Sequence, residues 1–349
     1  MNKIRVLIVD DSIFFRKFLG DRLSAQPNIE VIGFAINALE AKYMIPQLKP
    51  DVVTLDVEMP GMPGPAILKH IMATSPVPVV IVSAVNYSVF EALSAGAVDL
   101  VKKPDANVPG AAEKFISELL ETINIAKSAH LPKPKAAPAH TPAPAPAPLR
   151  VPVTLKQPSR NVIIALGAST GGTEATLVVL KDLPKNTPGM VIVQHMPPGF
   201  TKMYADRLNG LCEMEVREAK SGDMIKPGLA LIAPGDQQME VVKNGMTYSV
   251  KCYHGEKVSG HCPSVDVLFK SVAATAGRDS VGIIMTGMGK DGADGLLAMK
   301  SKGAYTIGQD KESCVVYGMP MVAFNIGAVT KQASCENIAP TLKAYLNQI

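Results

Sequence analysis

A serine, a histidine and an aspartate each stand just past an apolar, β-branched run. Ser169 lies in GASTGG (167–172) after VIIAL, His195 in QHMP (194–197) after MVIVQ, and Asp291 in TGMGKDG (286–292) after VGIIM. The ends of strands in open α/β sheets are where ligand sites form. A hydroxyl, an imidazole and a carboxylate gathered at one such edge are the set that nucleophilic acyl transfer needs. Gly167-Ala168-Ser169-Thr170-Gly171 also fits G-x-S-x-G, in which small neighbours permit a sharp strand-to-helix turn that exposes Oγ. A glycine-rich turn can instead cradle phosphate, but no P-loop lysine follows and the spacing is not G-x-G-x-x-G. His254 and His261, in HGEKVSGH, compete with His195 for the role of base or serve as loop residues on the substrate side. Asp291 has an alternative as N-cap of a helix starting near Asp294, and Asp294 is a second acid beside it. The order Ser…His…Asp differs from the Ser…Asp…His of α/β-hydrolases.

A second constellation lies near the N-terminus. Asp10 and Asp11 follow one strand candidate, Asp56 another, Ser83 ends a further one, and Lys103-Pro104 follows the next. Carboxylates converging at a sheet edge repel unless a hard cation sits among them, and Mg²⁺ prefers oxygen ligands. A lysine opposite can neutralise a transferred phosphoryl group. The bland alternative is a set of helix caps and solvated charges, with Asp11-Ser12 capping the next helix.

The elements that must position these groups can be read from periodicity. Strands are expected at Arg5–Val9, Val31–Phe34, Val52–Leu55, Val79–Val82 and Leu100–Val101, with helices including Phe14–Ser24, Ala38–Gln47 and Ala111–Thr122. Residues 161–349 resume the alternation, with strands at Val162–Leu166, Val191–Gln194, Leu229–Ala233, Met239–Val242, Tyr248–Lys251, Val281–Thr286 and Tyr305–Ile307. Helices there are expected at Thr173–Lys181, Thr201–Leu208, Val265–Ala276, Asp294–Lys302 and Ile338–Leu346. Repeated βα units with apolar strands imply parallel sheets covered on both faces. The short strands at 229–251, with turn signals at Pro234-Gly235-Asp236 and Asn244-Gly245, predict a β-hairpin insertion. The expected fold class is therefore α/β, with two doubly wound parallel-sheet domains. Domain limits are set at 1–122 and 161–349, separated by a Pro/Ala-rich basic linker over 123–160. Nine prolines in 128–160 favour an extended spacer, since each lacks an N–H donor. The linker is either an inert tether or a basic segment that docks on an acidic surface.

Composition narrows the function. At 349 residues, 47% hydrophobic and 19% charged, two packed domains are expected. Six of the basic residues lie in 123–160, where there is no acid, which leaves the remainder of a +4 chain at about −2. Nucleic-acid binding is not expected. Five cysteines without a C-x-x-C suit a reducing compartment and exclude a disulfide framework. No apolar run reaches about 18 residues, so membrane insertion is not expected, and with no signal-like N-terminus a cytoplasmic location is.

Residues 3 to about 122, with DD, LDVEMPG, SA and KKP in order, resemble a two-component response-regulator receiver, which is flavodoxin-like. The resemblance implies phosphorylation of Asp56, with Mg²⁺ held by Asp10, Asp11, Asp56 and the Glu58 carbonyl, and phosphoryl contacts from Ser83 and Lys103. Leu100 stands where an aromatic switch residue is common, and Pro63 where an acid is usual. GASTGGTEA, QHMPPGFT, IAPGD, PSVDVLF, TGMGKDGADGL and QDKESCVVYGMP resemble the chemotaxis protein-glutamate methylesterase (CheB) family, whose catalytic domain is Rossmann-like. That resemblance spans essentially the whole chain. It implies Ser169 as nucleophile, His195 as general base and acid, and Asp291 as the residue orienting the histidine. The oxyanion donors would be the backbone N–H groups of Thr170 and Met288. No cofactor is implied for the ester chemistry. The implied activity is hydrolysis of γ-glutamyl methyl esters, and deamidation of glutamines, on methyl-accepting chemotaxis receptors. The implied phosphodonor is a CheA-like histidine kinase, and the unphosphorylated receiver is expected to cover the Ser169 site. Gln238 stands where the family often has His, and Cys262 where it often has Arg; neither is expected to touch the triad. Two other classes stay open: a phosphorylation-dependent binding protein with a vestigial triad, and a transcription-regulating receiver protein.

Overall fold

A computed structural model describes residues 3–59, 64–84, 88–131, 155 and 160–349. The chain divides into two compact units, 1–152 and 153–349.

The first unit alternates β1 (Ile4–Val9), α1 (Ile13–Ser24), β2 (Ile29–Ala35), α2 (Ala38–Leu48), β3 (Val52–Leu55), α3 (Gly64–Thr74), β4 (Val79–Ser83), α4 (Ser88–Ser94), β5 (Asp99–Lys102) and α5 (Ala111–Lys127). Its five strands are parallel, in the order β2-β1-β3-β4-β5. All four residues of β3 and all five of β4 are buried, as a parallel sheet covered on both faces requires. Helix α5 runs past residue 122, where the linker was expected to begin. Ile123 and Ala126 are as buried as Phe115 and Leu119, so the apolar face that holds the helix to the sheet continues to Lys127. That lysine pairs with Asp51 at 3.9 Å. Pro63 lies outside the described residues.

The second unit contains β6 (Ile163–Ala168), α6 (Gly172–Lys181), β7 (Met190–Gln194), α7 (Phe200–Leu211), β8 (Glu215–Glu218), β9 (Leu229–Ile232), β10 (Gln238–Asn244), β11 (Thr247–Tyr253), α8 (Val265–Thr275), β12 (Ser280–Ile284), α9 (Ala293–Ser301), β13 (Tyr305–Gln309), α10 (Met319–Asn325), β14 (Lys331–Ala333) and α11 (Cys335–Leu346). Seven strands form one parallel sheet in the order β14-β13-β12-β6-β7-β9-β8. The hairpin is β10-β11, antiparallel from Gln238↔Tyr253 to Asn244↔Thr247. Leu229–Ile232 does not belong to it. That run is buried at all four positions and pairs in parallel with β7 and β8, so its continuous apolarity marks a central strand. Residues before 161 also join this unit. Leu155 is 4% exposed, its carbonyl accepts from Asn186 Nδ2 at 2.8 Å, and Arg160 pairs with Asp279 at 3.2 Å.

Candidate active site

Three adjacent strands, β12-β6-β7, set the site. Register pairs Ala168 with Gln194 and Ile284 with Gly167, so the segments holding Ser169, His195 and Asp291 all leave the sheet at the same edge. Backbone hydrogen bonds carry the alignment beyond the strands. Ser169 N–H donates to Thr286 O at 3.0 Å, and His195 N–H to Ala168 O at 3.1 Å. Gln194, 2% exposed, stiffens the turn further by donating from Nε2 to Ser169 O at 2.8 Å.

The turn from Ser169 into α6 depends on Gly171, whose φ of +75° lies in the left-handed region and whose missing Cβ would meet Val315 at 2.5 Å. A Cβ on Gly287 would lie 2.6 Å from Ser169 Cβ, so the β12 loop passes against the nucleophile only because residue 287 has no side chain.

Asp291 is the most firmly held of the three. Its Oδ2 lies 2.8 Å from His195 Nε2 and accepts from Val265 N–H at 2.7 Å. Its Oδ1 accepts from Ser264 Oγ at 2.8 Å and Asp266 N–H at 3.1 Å. The carboxylate therefore sits at the N-terminus of α8, where unsatisfied N–H groups favour negative charge. The residue N-capping α9 is Gly292, so Asp291 is a cap for the wrong helix by sequence proximity and the right one in space. Burial alone would raise its pKa; hydrogen bonds from His195, Ser264 and Val265 outweigh that and hold it below the ordinary carboxylate value. Asp294 is exposed in the first turn of α9.

An ionised Asp291 fixes the His195 tautomer with its proton on Nε2. The other nitrogen, Nδ1, is buried without a hydrogen-bond partner among the described residues. The His261 ring stacks on His195, with centroids 3.7 Å apart and 12° between planes. His254 is exposed, and its Nδ1 lies 3.0 Å from Asp236 O. Of the proposed oxyanion donors, Thr170 is buried and its carbonyl accepts from Thr286 Oγ1 at 2.9 Å. Met288 is 46% exposed and follows the Gly287 that abuts Ser169.

Ser264, within the PSVDVLF segment, has no role implied by the sequence beyond that of a helix cap, three residues ahead of the Val267 N–H from which its side chain accepts. Gln238 Oε1 accepts from Ser264 N–H at 2.9 Å, the residue whose Oγ donates to Asp291.

The first unit gathers its own set. The carboxylates of Asp10, Asp11 and Asp56 each offer an oxygen within 4.8 Å of the others. Lys103 Nζ donates to Asp10 Oδ2 at 2.8 Å and Asp56 Oδ2 at 2.5 Å, and stands 4.5 Å from the centre of the Phe15 ring. Burial raises the pKa of Asp10 despite Lys103 beside it. For Lys103, burial works against the charge, but the two carboxylates outweigh it and raise its pKa. Asp10 Oδ1 accepts from Ser12 N–H at 2.8 Å and Asp56 Oδ1 from Glu58 N–H at 2.9 Å, which aims the carboxylates. Ser83 O accepts from Lys103 N–H at 2.9 Å. Ser12 caps α1, its side chain accepting from Phe15 N–H. Leu100 is buried on β5. An all-oxygen acidic set with two buried members fits a hard divalent cation.

A family profile described as CheB methylesterase matches residues 164–342, and one described as response regulator receiver domain matches 6–108. The chain is 50% identical over 349 residues to a protein-glutamate methylesterase/protein-glutamine glutaminase of Syntrophomonas wolfei, covering 100% of this chain and 99% of that one. It is 43% identical to a protein of the same name from Salmonella typhi, covering 99% and 98%. The chain belongs to the CheB methylesterase family. The second unit is similar to the CheB methylesterase catalytic domain of Thermotoga maritima, with TM-score 0.52 and 36% identity over 53% of this chain and 98% of that one. Among the described residues of this CheB family member, no helix is long and apolar enough to cross a membrane.

Proposed function

We propose that this chain is a phosphorylation-activated protein-glutamate methylesterase and protein-glutamine deamidase acting on methyl-accepting chemotaxis receptors in the cytoplasm. The observation that carries the reading is the contact of His195 Nε2 with the buried, fourfold-coordinated Asp291, at the edge where Ser169 turns into α6. In this reading Ser169 Oγ attacks the γ-glutamyl ester carbonyl and passes its proton to His195 Nδ1, the nitrogen left unpartnered by the Asp291 contact. Asp291 stabilises the imidazolium that forms. The N–H groups of Thr170 and Met288 receive the oxyanion, each worth about 3 kcal/mol of transition-state stabilisation. Nδ1–H then protonates the leaving methoxide and methanol departs. Water, deprotonated by His195, cleaves the acyl-serine. With a glutamine the same steps release ammonia.

Control falls to the first unit. Asp56 accepts a phosphoryl group from a CheA-like histidine kinase. Asp10, Asp11, Asp56 and the Glu58 carbonyl would hold Mg²⁺, which supplies charge neutralisation for the transferred group. Lys103 and Ser83 contact the phosphoryl oxygens. Such a switch requires only a few kcal/mol of differential stabilisation between a restrained and an active form.

Methanol release from methylated receptor membranes tests both halves. Release stimulated by acetyl phosphate, abolished by Ser169→Ala and no longer stimulated in Asp56→Asn, is the expected result. Release that persists in Ser169→Ala would overturn the acyl-serine mechanism.

A further inference from the structure

Among the described residues, the His195 ring has one hydrogen bond. One bond does not fix an imidazole, because a turn about the Cβ–Cγ bond swings both nitrogens out of plane. Such a turn sweeps the ring edge through the space above its own face, and that space is filled by His261, lying nearly parallel at 3.7 Å between centroids.

His261 is itself braced. Val258 and His261 exchange backbone hydrogen bonds at 3.0 and 2.9 Å across a two-residue turn. Both central residues, Ser259 and Gly260, have positive φ, of 53° and 86°, which is the tight turn that matches strand twist. Gln238 grips this loop from inside. Its Nε2 donates to Glu256 O at 2.9 Å and to His261 O at 3.3 Å, while Oε1 takes the Ser264 N–H. At 2% exposure this side chain belongs to the interior, and its amide satisfies three backbone groups that would otherwise be left to compete for water. The same side chain thus ties the His261 loop to the segment that coordinates Asp291.

We propose that His261 is a positioning residue of the esterase site, locking the plane of the His195 ring so that Nε2 stays on Asp291 and Nδ1 stays available to the nucleophile, and that Gln238 holds His261 in place for this task. The inference rests on the Ser169/His195/Asp291 reading. The charge state suits the role. Burial first, and the neighbouring His195 second, push the pKa of His261 down to about 4, with Asp291 opposing and Lys257 adding to the shift. A neutral ring can lie against His195 through the catalytic cycle, including the stage at which His195 is cationic.

The test compares wild type, His261→Ala, His261→Phe, His261→Leu and Gln238→Leu in the full-length protein. The readouts are kcat and KM for methanol release and the downfield NMR resonance of the His195 Nε2–H bonded to Asp291. His261→Ala is expected to lower kcat by up to about a hundredfold, as misplacement of a catalytic group does, with KM little changed and the resonance broadened or lost. His261→Phe keeps a flat ring and is expected to restore most of kcat and the resonance. His261→Leu fills the space without a plane and is expected to restore neither, so the Phe/Leu pair decides the matter even if the alanine variant fails to fold. Gln238→Leu is expected to lower kcat in the same sense, less severely. Wild-type kcat with an intact resonance in His261→Leu, or Phe as impaired as Leu, would overturn the proposal. Ser169→Ala is run alongside: release that survives in it defeats the underlying acyl-serine reading, whereas abolished release with an unaffected His261→Leu defeats only this inference.

Discussion

Asp291 bears two burdens, and one substitution reaches both. Its carboxylate orients His195 and also receives Ser264 Oγ and two N–H groups at the start of α8. Asp291→Asn turns an N–H₂ group toward at least one of those donors. The expected outcome is a fall in kcat of about 10⁴, the size seen when a triad histidine loses its tautomer control. Chemical unfolding should show a loss of about 1–3 kcal/mol, the cost of a buried unsatisfied group. His261 gives a second residue-scale expectation, on stability. Its pKa is about 4 when folded against an ordinary 6.5, so the unfolded chain binds its proton first as pH falls. That difference in proton uptake removes stability progressively between about pH 6.5 and pH 4. His261→Phe has no such titration, so its melting temperature, measured at pH 7 and pH 5, should fall less than that of the wild type.

Among the elements, the sharpest constraint is the approach of the β12 loop to the β6 turn. Gly287→Ala puts a methyl group 2.4 Å from Met319 Sδ and 2.6 Å from Ser169 Cβ. The two loops must part, and Ser169 moves relative to His195 and to the Met288 N–H. Because Ser169 is held through backbone contacts to Thr286 and Gln194, the displacement falls on the reacting geometry. Labelling by a fluorophosphonate probe should slow by about a hundredfold, while the circular dichroism of the sheet is unchanged. A labelling rate equal to the wild type would show that the loops can separate without cost to the nucleophile.

Over the whole molecule, each unit carries its own core. In the second, apolar residues of β6, β7, β9 and the β10-β11 hairpin pack with those of α8 and α9, so it is expected to fold alone. Residues 153–349 should release methanol at a rate above the unphosphorylated full chain and insensitive to acetyl phosphate. A start at residue 161 discards the buried Leu155 and should cost about 2 kcal/mol of stability, the worth of one buried leucine side chain, measured by urea unfolding of the two fragments. Equal rates for the fragment and the unphosphorylated chain would leave the first unit without a restraining role.

The alternation of apolar runs with helical periods determined two parallel-sheet domains, because a strand buried on both faces must be apolar at every position and each crossover must supply a helix. It also put Ser169 and His195 directly after strands and Asp291 in the loop that follows another, since that is a property of position along the chain. Helix α5 runs to Lys127 and Leu155 is buried, inside the 123–160 stretch read as linker, for one reason: Ile123, Ala126 and Leu155 are single apolar residues beside a proline-rich stretch, and only the core they pack into decides their membership. Leu229–Ile232 showed the same ambiguity. An apolar run of that length reads equally as a hairpin arm or a central strand until its neighbours are known. The three strands holding the triad are adjacent in space in the order β12-β6-β7, an order that no local pattern specifies. The tertiary structure also decided which helix Asp291 caps, which histidine nitrogen it leaves open, and that Ser264, Gln238 and His261 stand behind the triad. Those contacts join segments as far as 96 residues apart, and side-chain type and local spacing carry no record of them.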